Sequence, residues 1–253
     1  MTVIPARRSD FPTPVAEVRI VHSSDVHVAE TVVEAVHDGD GTAGLRVVLA
    51  AARGLGADVV VLAGDTFENN RLPLDLLDRA KGLLAAAGMP VVILPGNHDP
   101  AITESAFTRG GIADLPHVHV LGVTHDEAVP FPALGLEIWG RAHRDYDDMA
   151  PLIRSRPRSS FWQIAMAHGH YEPSPNRDTP LRPGWLIGDA ELEATGADYV
   201  ALGHWNRHIR VGNGDIAAYY SGSPDLAGTV NLVRLTAEGA VVVTREPVDW
   251  GRP

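Results

Sequence analysis

The chain contains no cysteine. Disulfide staples and thiolate metal sites are therefore excluded, any metal must be held by His, Asp, Glu or Asn, and the composition fits an intracellular protein. Nowhere do eighteen apolar residues run uninterrupted, and the opening MTVIPARRSDFPTPVAEV carries Arg7 and Arg8 but no apolar run of signal-peptide length. A soluble, cytoplasmic protein without a membrane partner is expected. Positive charge is also scarce, with 21 Lys and Arg against 32 Asp and Glu for a formal charge of −11. Duplex binding relies on clustered Lys and Arg displacing counterions, so nucleic acid is a disfavoured partner, although a local basic groove is compatible with any net charge.

What is present is enough for one sizeable core: 253 residues, 45% of them hydrophobic. Residues 1–17 hold Pro5, Pro12 and Pro14 with little periodicity and read as a loose arm or an edge segment. VRIVHSSD then reads as a strand ending in small polar residues, followed by helical apolar spacing through Leu45, Val48, Leu49 and Ala52 between Gly44 and Gly56. The unit recurs, with a strand at Ala57–Ala63, a helix at Pro73–Ala87 and a strand at Pro90–Leu94, and repeated βαβ units imply a parallel sheet. The second half is richer in short strands, at Val118–Leu121, Leu136–Ala142, Phe161–Ala167, Tyr199–Leu202, Ile216–Tyr220, Val230–Leu235 and Ala240–Arg245. Two sheets packed face to face with helices outside would use both halves. His170–Ile187 is too rich in proline for a helix and reads as a loop.

Each apolar strand of the first half stops at a polar cluster: SSDVH with Asp25 and His27, then Gly64-Asp65, then GNHD from Gly96 to Asp99. Ligands of open α/β sheets bind outside the carboxyl ends of strands, so these clusters should meet in one crevice. His168 after FWQIAMA and His204 after DYVALG repeat the pattern. Singly, each has a bland account as a helix cap, a turn residue or an interior histidine. GNHD resists one, because it combines a glycine that permits close backbone approach with a neutral oxygen ligand, a titratable ring and a carboxylate.

The ordered set D-x-H, G-D, G-N-H-D, H and G-H resembles the calcineurin-like metallophosphoesterases over roughly Ile20 to Trp205, and GDTFENNR with LPGNHDP and DYVALGH is most similar to the SbcD-type subgroup. The resemblance implies an α/β fold, a four-layer αββα sandwich of two mixed β-sheets flanked by helices, occupying residues 18–248 as a single domain. It implies two divalent transition-metal ions, Mn or Fe first and then Zn. Asp25 and His27 would hold the first, Asp65 would bridge both, and Asn97, His168 and His204 would hold the second. A bridging water acidified to hydroxide would then attack phosphorus in line.

By the same likeness His98 stabilises the transition state and protonates the leaving alkoxide, while Glu68 orients His98. Arg71 is a candidate phosphate contact and His170, with Arg177 or Arg182, a candidate substrate contact. Trp205 either stacks on a substrate ring or packs. The remaining histidines, His22, His37, His117, His119, His125 and His143, have no motif position and read as structural or solvent-facing. One departure stands out: the family usually closes with G-H-x-H, whereas Asn206 occupies the place of that second histidine. Its amide, a water or His208 would complete the first site, but an extended strand carries His208 about 6.6 Å beyond Asn206, which argues against it. A weaker first metal site is expected.

A stand-alone hydrolase of small phosphodiesters or phosphomonoesters accounts for every motif. An SbcD-type nuclease ranks below it, because of the acidic balance and because the chain ends soon after its last core strands. An inactive scaffold that binds protein partners has only Asn206 in its favour. Oligomeric state is left open.

Overall fold

The computed structural model describes residues 7–14, 16–30, 39–146, 149–152, 156–178, 183–214 and 216–251. Its first half follows the βαβ pattern. β1 (Val18–Ser23) buries every residue but Arg19, as β-branched side chains on a strand covered on both faces should. Helix α1 (Ala43–Gly54) turns the Leu45, Val48, Leu49 and Ala52 stripe inward. β2 (Val59–Ala63), α2 (Leu74–Ala85) and β3 (Val91–Leu94) follow, then the single turn α3 (Ala106–Arg109) and β4 (Val118–Val120). Pro73 caps α2, where its missing N–H costs nothing.

The second half supplies β5 (Ala128–Phe131), β6 (Leu136–Gly140), β7 (Trp162–His168), β8 (His170–Tyr171), β9 (Leu186–Ile187), α4 (Asp189–Ala194), β10 (Tyr199–Gly203), β11 (Ile209–Val211), β12 (Ala217–Tyr220), α5 (Pro224–Ala227), β13 (Thr229–Leu235) and β14 (Val241–Pro247). Two six-stranded sheets result, in the orders β14-β13-β1-β2-β3-β4 and β11-β12-β10-β7-β6-β5. Both are mixed. β1, β2, β3 and β4 run parallel, β13 pairs antiparallel with β1 and β14 antiparallel with β13, and β6, β7, β10 and β12 run parallel between antiparallel edges.

The sheets pack through Ile20, Val59, Val61, Val92 and Leu94 of one against Ile138, Ile164, Met166, Tyr199 and Ala201 of the other. The outer face of the first sheet is covered by α1 and α2 through Leu45, Leu49, Leu76, Leu77 and Leu84. Cover over the second sheet is thinner: Leu192 of α4 with Leu152 and Ile187 lies over Trp139, Val200 and Tyr220. Burial of side chains of this size stabilises by about 1.5–3 kcal/mol each.

β5 and β11 are additions to the expected strands. In the proline-rich stretch after His168, residues 172–178 are irregular, but its ends pair, His170 with Leu186 and Tyr171 with Ile187. In the N-terminal segment, Arg8 lies 4.4 Å over the Trp162 ring and pairs with Asp198, which also accepts from Arg158 at 2.9 Å. No helix among the described residues is long and apolar enough to cross a membrane.

Candidate metal centre

β1, β2 and β3 end side by side in one sheet, and β7 and β10 end side by side in the other. Gly203 closes the gap between them. A methyl added there would sit 1.8 Å from the Ala63 carbonyl oxygen at the end of β2, so only glycine lets the two sheets meet at this point. The loops that follow are laced together, with Asp25 N–H donating to the Gly64 carbonyl and His27 N–H to the Asp65 carbonyl, both at 3.0 Å.

Among the described residues, the only non-glycine residues with positive φ are Asp25 (52°), His27 (49°), Asp65 (51°) and His204 (105°). Each such conformation costs about 1–3 kcal/mol and persists only where surrounding structure enforces it. All four are residues expected to ligate a metal, so the backbone is bent to aim side chains at one place.

His168 shows what that place holds. Its Nδ1 donates to the Ala63 carbonyl at 2.9 Å, because a carbonyl can only accept. Nε2 therefore faces the Asp65 carboxylate at 3.1 Å and the Asn97 side-chain oxygen at 3.0 Å. Three electron-pair donors aimed at one point require a positive charge between them, and in the bare protein a proton supplies it. Burial alone would depress the His168 ring, yet the Asp65 carboxylate lifts it to about 9. In return, burial that would raise Asp65 is overcome by His168, and its carboxyl is held well below the usual range. Asp25 is different: burial dominates and raises it.

Asp25, His27 and Asp65, expected at the first position, place their candidate ligand atoms within 4.8 Å of one another and could hold an ion. Both Asp25 oxygens accept the His204 N–H, at 3.1 and 3.0 Å, across 179 positions of sequence. The His204 ring stands edge-on to His168 at 5.3 Å. His27 Nδ1 is buried without a hydrogen-bond partner, although it lies 2.9 Å from Glu68 Oε2, a distance whose alignment does not make a hydrogen bond. A buried ring nitrogen left in this state, two carboxylates and further imidazoles make a donor set that fits divalent transition metals.

His98 stands edge-on to His27 at 4.9 Å, and the Asp65 carboxylate accepts its backbone N–H at 2.9 Å. Its Nδ1 lies 3.0 Å from the Glu68 carbonyl and 3.5 Å from Glu68 Oε1. Glu68 thus meets His98 mainly through its main chain, while its carboxylate leans toward His27.

The other expected residues are more peripheral. Asn206 is exposed, and among the described residues no hydrogen bond joins it to the cluster. His208 is engaged elsewhere, 2.7 Å from the Asn231 side-chain oxygen. Arg71 is exposed and lines a cavity of about 590 Å³ with Glu30, Asn69, Leu72, Pro73 and Tyr146. His170 is exposed with its ring 6.3 Å from His204, and Arg177 pairs with Glu191. His37 and Arg182 lie outside the described residues.

Two residues without an expected role support the cluster. Asp99 is fully buried and accepts from Gly96 N–H at 2.7 Å and Phe67 N–H at 3.0 Å, tying the second and third loops together. Burial first, then the nearby Asp65 charge, raise it to about 7. His143 lies behind His168, with Nε2 2.9 Å from its carbonyl. Asp99 could have been read from GNHD itself, whereas His143 carries no local signal.

Residues 18–207 match the family model described as calcineurin-like phosphoesterase. A curated relative, the SbcD subunit of the nuclease SbcCD from Bacillus subtilis (strain 168), is 24% identical over 240 residues, covering 81% of this chain. The chain spans 61% of that relative's length. Among solved structures, TT1561 of Thermus thermophilus aligns with a TM-score of 0.57 at 13% identity, over 90% of this chain and 98% of that one. A putative 5'-nucleotidase from Staphylococcus aureus, in complex with alpha-ketoglutarate, aligns with a TM-score of 0.61 at 15% identity, over 92% of this chain and 54% of that one. These structural likenesses speak for the fold.

Proposed function

The chain belongs to the calcineurin-like phosphoesterase family, and from that premise we propose that it is a hydrolase of small phosphodiesters or phosphomonoesters that depends on two divalent metal ions. The observation that carries this reading is the convergence of His168 Nε2, Asp65 and Asn97 on one point beside the Asp25 and His27 position. Asp25 and His27 would hold one ion, with Asn206 or a water as a weak additional ligand. Asn97, His168 and His204 would hold the other, and Asp65 would be shared. The donor set suits Mn or Fe, then Zn. When bound, such ions supply Lewis acidity toward phosphoryl oxygens and make water acidic enough to attack near neutral pH.

His98 is assigned the proton that the departing alkoxide needs. With Nδ1–H committed to the Glu68 carbonyl, the ring is oriented and Nε2 is the nitrogen left to carry and release that proton. Glu68 acts as a positioning residue for His98 and, through its carboxylate, for His27. Arg71 and His170 are candidate substrate contacts.

The test is a panel of bis(p-nitrophenyl) phosphate, p-nitrophenyl phosphate, cyclic nucleotides and single- and double-stranded DNA with added Mn, run on the native protein and His98→Ala. We expect turnover of small esters and a loss on the order of 100-fold or more in kcat for His98→Ala. The loss should be larger for an alkyl leaving group than for p-nitrophenolate, which needs less help from an acid. Equal rates in the two proteins would reject the role of His98. Preference for DNA would favour the nuclease activity named for the Bacillus relative.

A further inference from the structure

Beside His204 stands a group of side chains, Trp205, Tyr220 and Arg207, that the hydrolytic reading leaves unused, and with them His170, which it names as a substrate contact without saying what it would recognise. Trp205 lies with its indole stacked on Tyr220, ring centres 4.6 Å apart and planes 13° apart. Tyr220 is itself fixed, since its hydroxyl donates to the Gly169 carbonyl at 2.7 Å. The Arg207 guanidinium lies over the same indole at 5.0 Å. With Tyr220 against one face, the cation takes the other, so the indole is closed to a substrate ring and the stacking role open to Trp205 falls away.

Its remaining function is polar. Trp205 Nε1–H donates to His170 Nδ1 at 2.9 Å, and an indole nitrogen can only donate. His170 Nδ1 is thereby the acceptor, and the ring hydrogen resides on Nε2. The exposed His170 ring, its centre 6.3 Å from that of His204, thus offers an N–H donor at the edge of the same indole whose face carries the exposed Arg207 guanidinium. Among the described residues no carboxylate pairs with Arg207, in a chain whose formal charge is −11. Two oriented donors without acceptors beside a phosphoester site select oxygen anions, and guanidinium matches phosphate in shape as well as charge.

We propose that His170 and Arg207, both set in place by Trp205, recognise a second anionic group of the substrate, so that the preferred substrates are phosphate esters carrying a further phosphate away from the scissile bond. This rests on the hydrolytic reading above, and the experiment separates the two. Thymidine 5'-(p-nitrophenyl phosphate) and its 3'-phosphorylated form are offered with Mn to the native protein, Arg207→Gln, Arg207→Lys and Trp205→Phe. The native protein should favour the 3'-phosphorylated ester by roughly tenfold or more in kcat/KM, mainly through KM. Arg207→Gln should bring that ratio near one, with partial recovery in Arg207→Lys. Trp205→Phe keeps an aromatic ring but lacks the N–H, and should both reduce the ratio and mix the His170 tautomers, read from its ring 15N shifts. Hydrolysis of both esters at equal efficiency by the native protein overturns the proposal and leaves the hydrolase intact. If neither ester is hydrolysed, the hydrolytic reading fails, and calorimetric titration with thymidine 3',5'-bisphosphate and thymidine 5'-monophosphate decides. Equal affinities overturn the proposal, and a tenfold preference lost in Arg207→Gln upholds it.

Discussion

Gly64 occupies a position where an added methyl would lie 2.0 Å from Nδ1 of His168, on a backbone with φ of +94°. The two constraints compound, because His168 has no room to retreat: its Nδ1 is bound to Ala63 and its Nε2 faces Asp65. Gly64→Ala should therefore destabilise the fold by about 1–3 kcal/mol from overpacking alone, with left-handed strain added. It should also lower the metal retained after gel filtration, since the displaced ring is a proposed ligand. Urea denaturation measures the first effect and elemental analysis the second. A variant within about 0.5 kcal/mol of the native protein, the scatter of harmless surface changes, with unchanged metal content would show that the contact between Gly64 and His168 is dispensable. Gly96 belongs to the same scheme, its missing methyl leaving space for Asp65 Oδ1, 2.2 Å from where it would sit. The glycines before Asp65 and Asn97 are thus packing requirements of the site and not only turn preferences.

Strands β1, β10 and β13 meet at His22. It is paired in register with Asn231 of β13, and its Nδ1 lies 2.8 Å from the Tyr199 hydroxyl of β10, so one side chain links the two sheets. Burial, the largest cause, depresses this ring to about 3, against an ordinary value of 6.5. The folded protein therefore keeps His22 neutral where the unfolded chain would take up a proton. Its contribution is complete above about pH 6.5 and is lost as pH falls toward 3, at up to roughly 1.4 kcal/mol per pH unit. Replacing it by glutamine removes this uptake. Between pH 6 and 4, the unfolding free energy of the native protein should fall by roughly 2 kcal/mol more than that of His22→Gln, and parallel curves would exclude His22 as a source of acid sensitivity.

The sequence patterns that identified these strands were those with long apolar runs, and each expected strand is found within two or three residues of its proposed ends. β5 and β11 escaped because they are short edge strands, one with Pro130 in its middle, whose residues need only one neighbour and carry no strong alternation. The site was legible for a similar reason. A polar cluster after an apolar strand is a local signal, while the support that His143 gives from behind His168, and the turn of Glu68 that offers a carbonyl where a carboxylate was expected, exist only once distant segments pack.

At the scale of the whole molecule, the cluster is a joint between two sheets. Asp25, His27, Asp65 and Asn97 come from one and His168 and His204 from the other, and the carboxylates among them are buried together. An ion that binds this joint binds the folded chain alone, because unfolding disperses ligands separated by up to 179 positions. Free metal at about 100 times its dissociation constant should then add about 2.7 kcal/mol of stability. For a chain of this size that corresponds to a rise of about 5–10 °C in Tm. Calorimetry of chelator-treated protein with and without Mn gives the measurement, and Asp65→Asn supplies the control. The amide keeps the volume of the carboxylate but removes the charge shared by both positions, so the Mn-dependent rise should shrink sharply in the variant. A native protein whose Tm is indifferent to Mn, Fe and Zn would mean that the converging donors are satisfied by the proton on His168, and that no metal is held between the sheets.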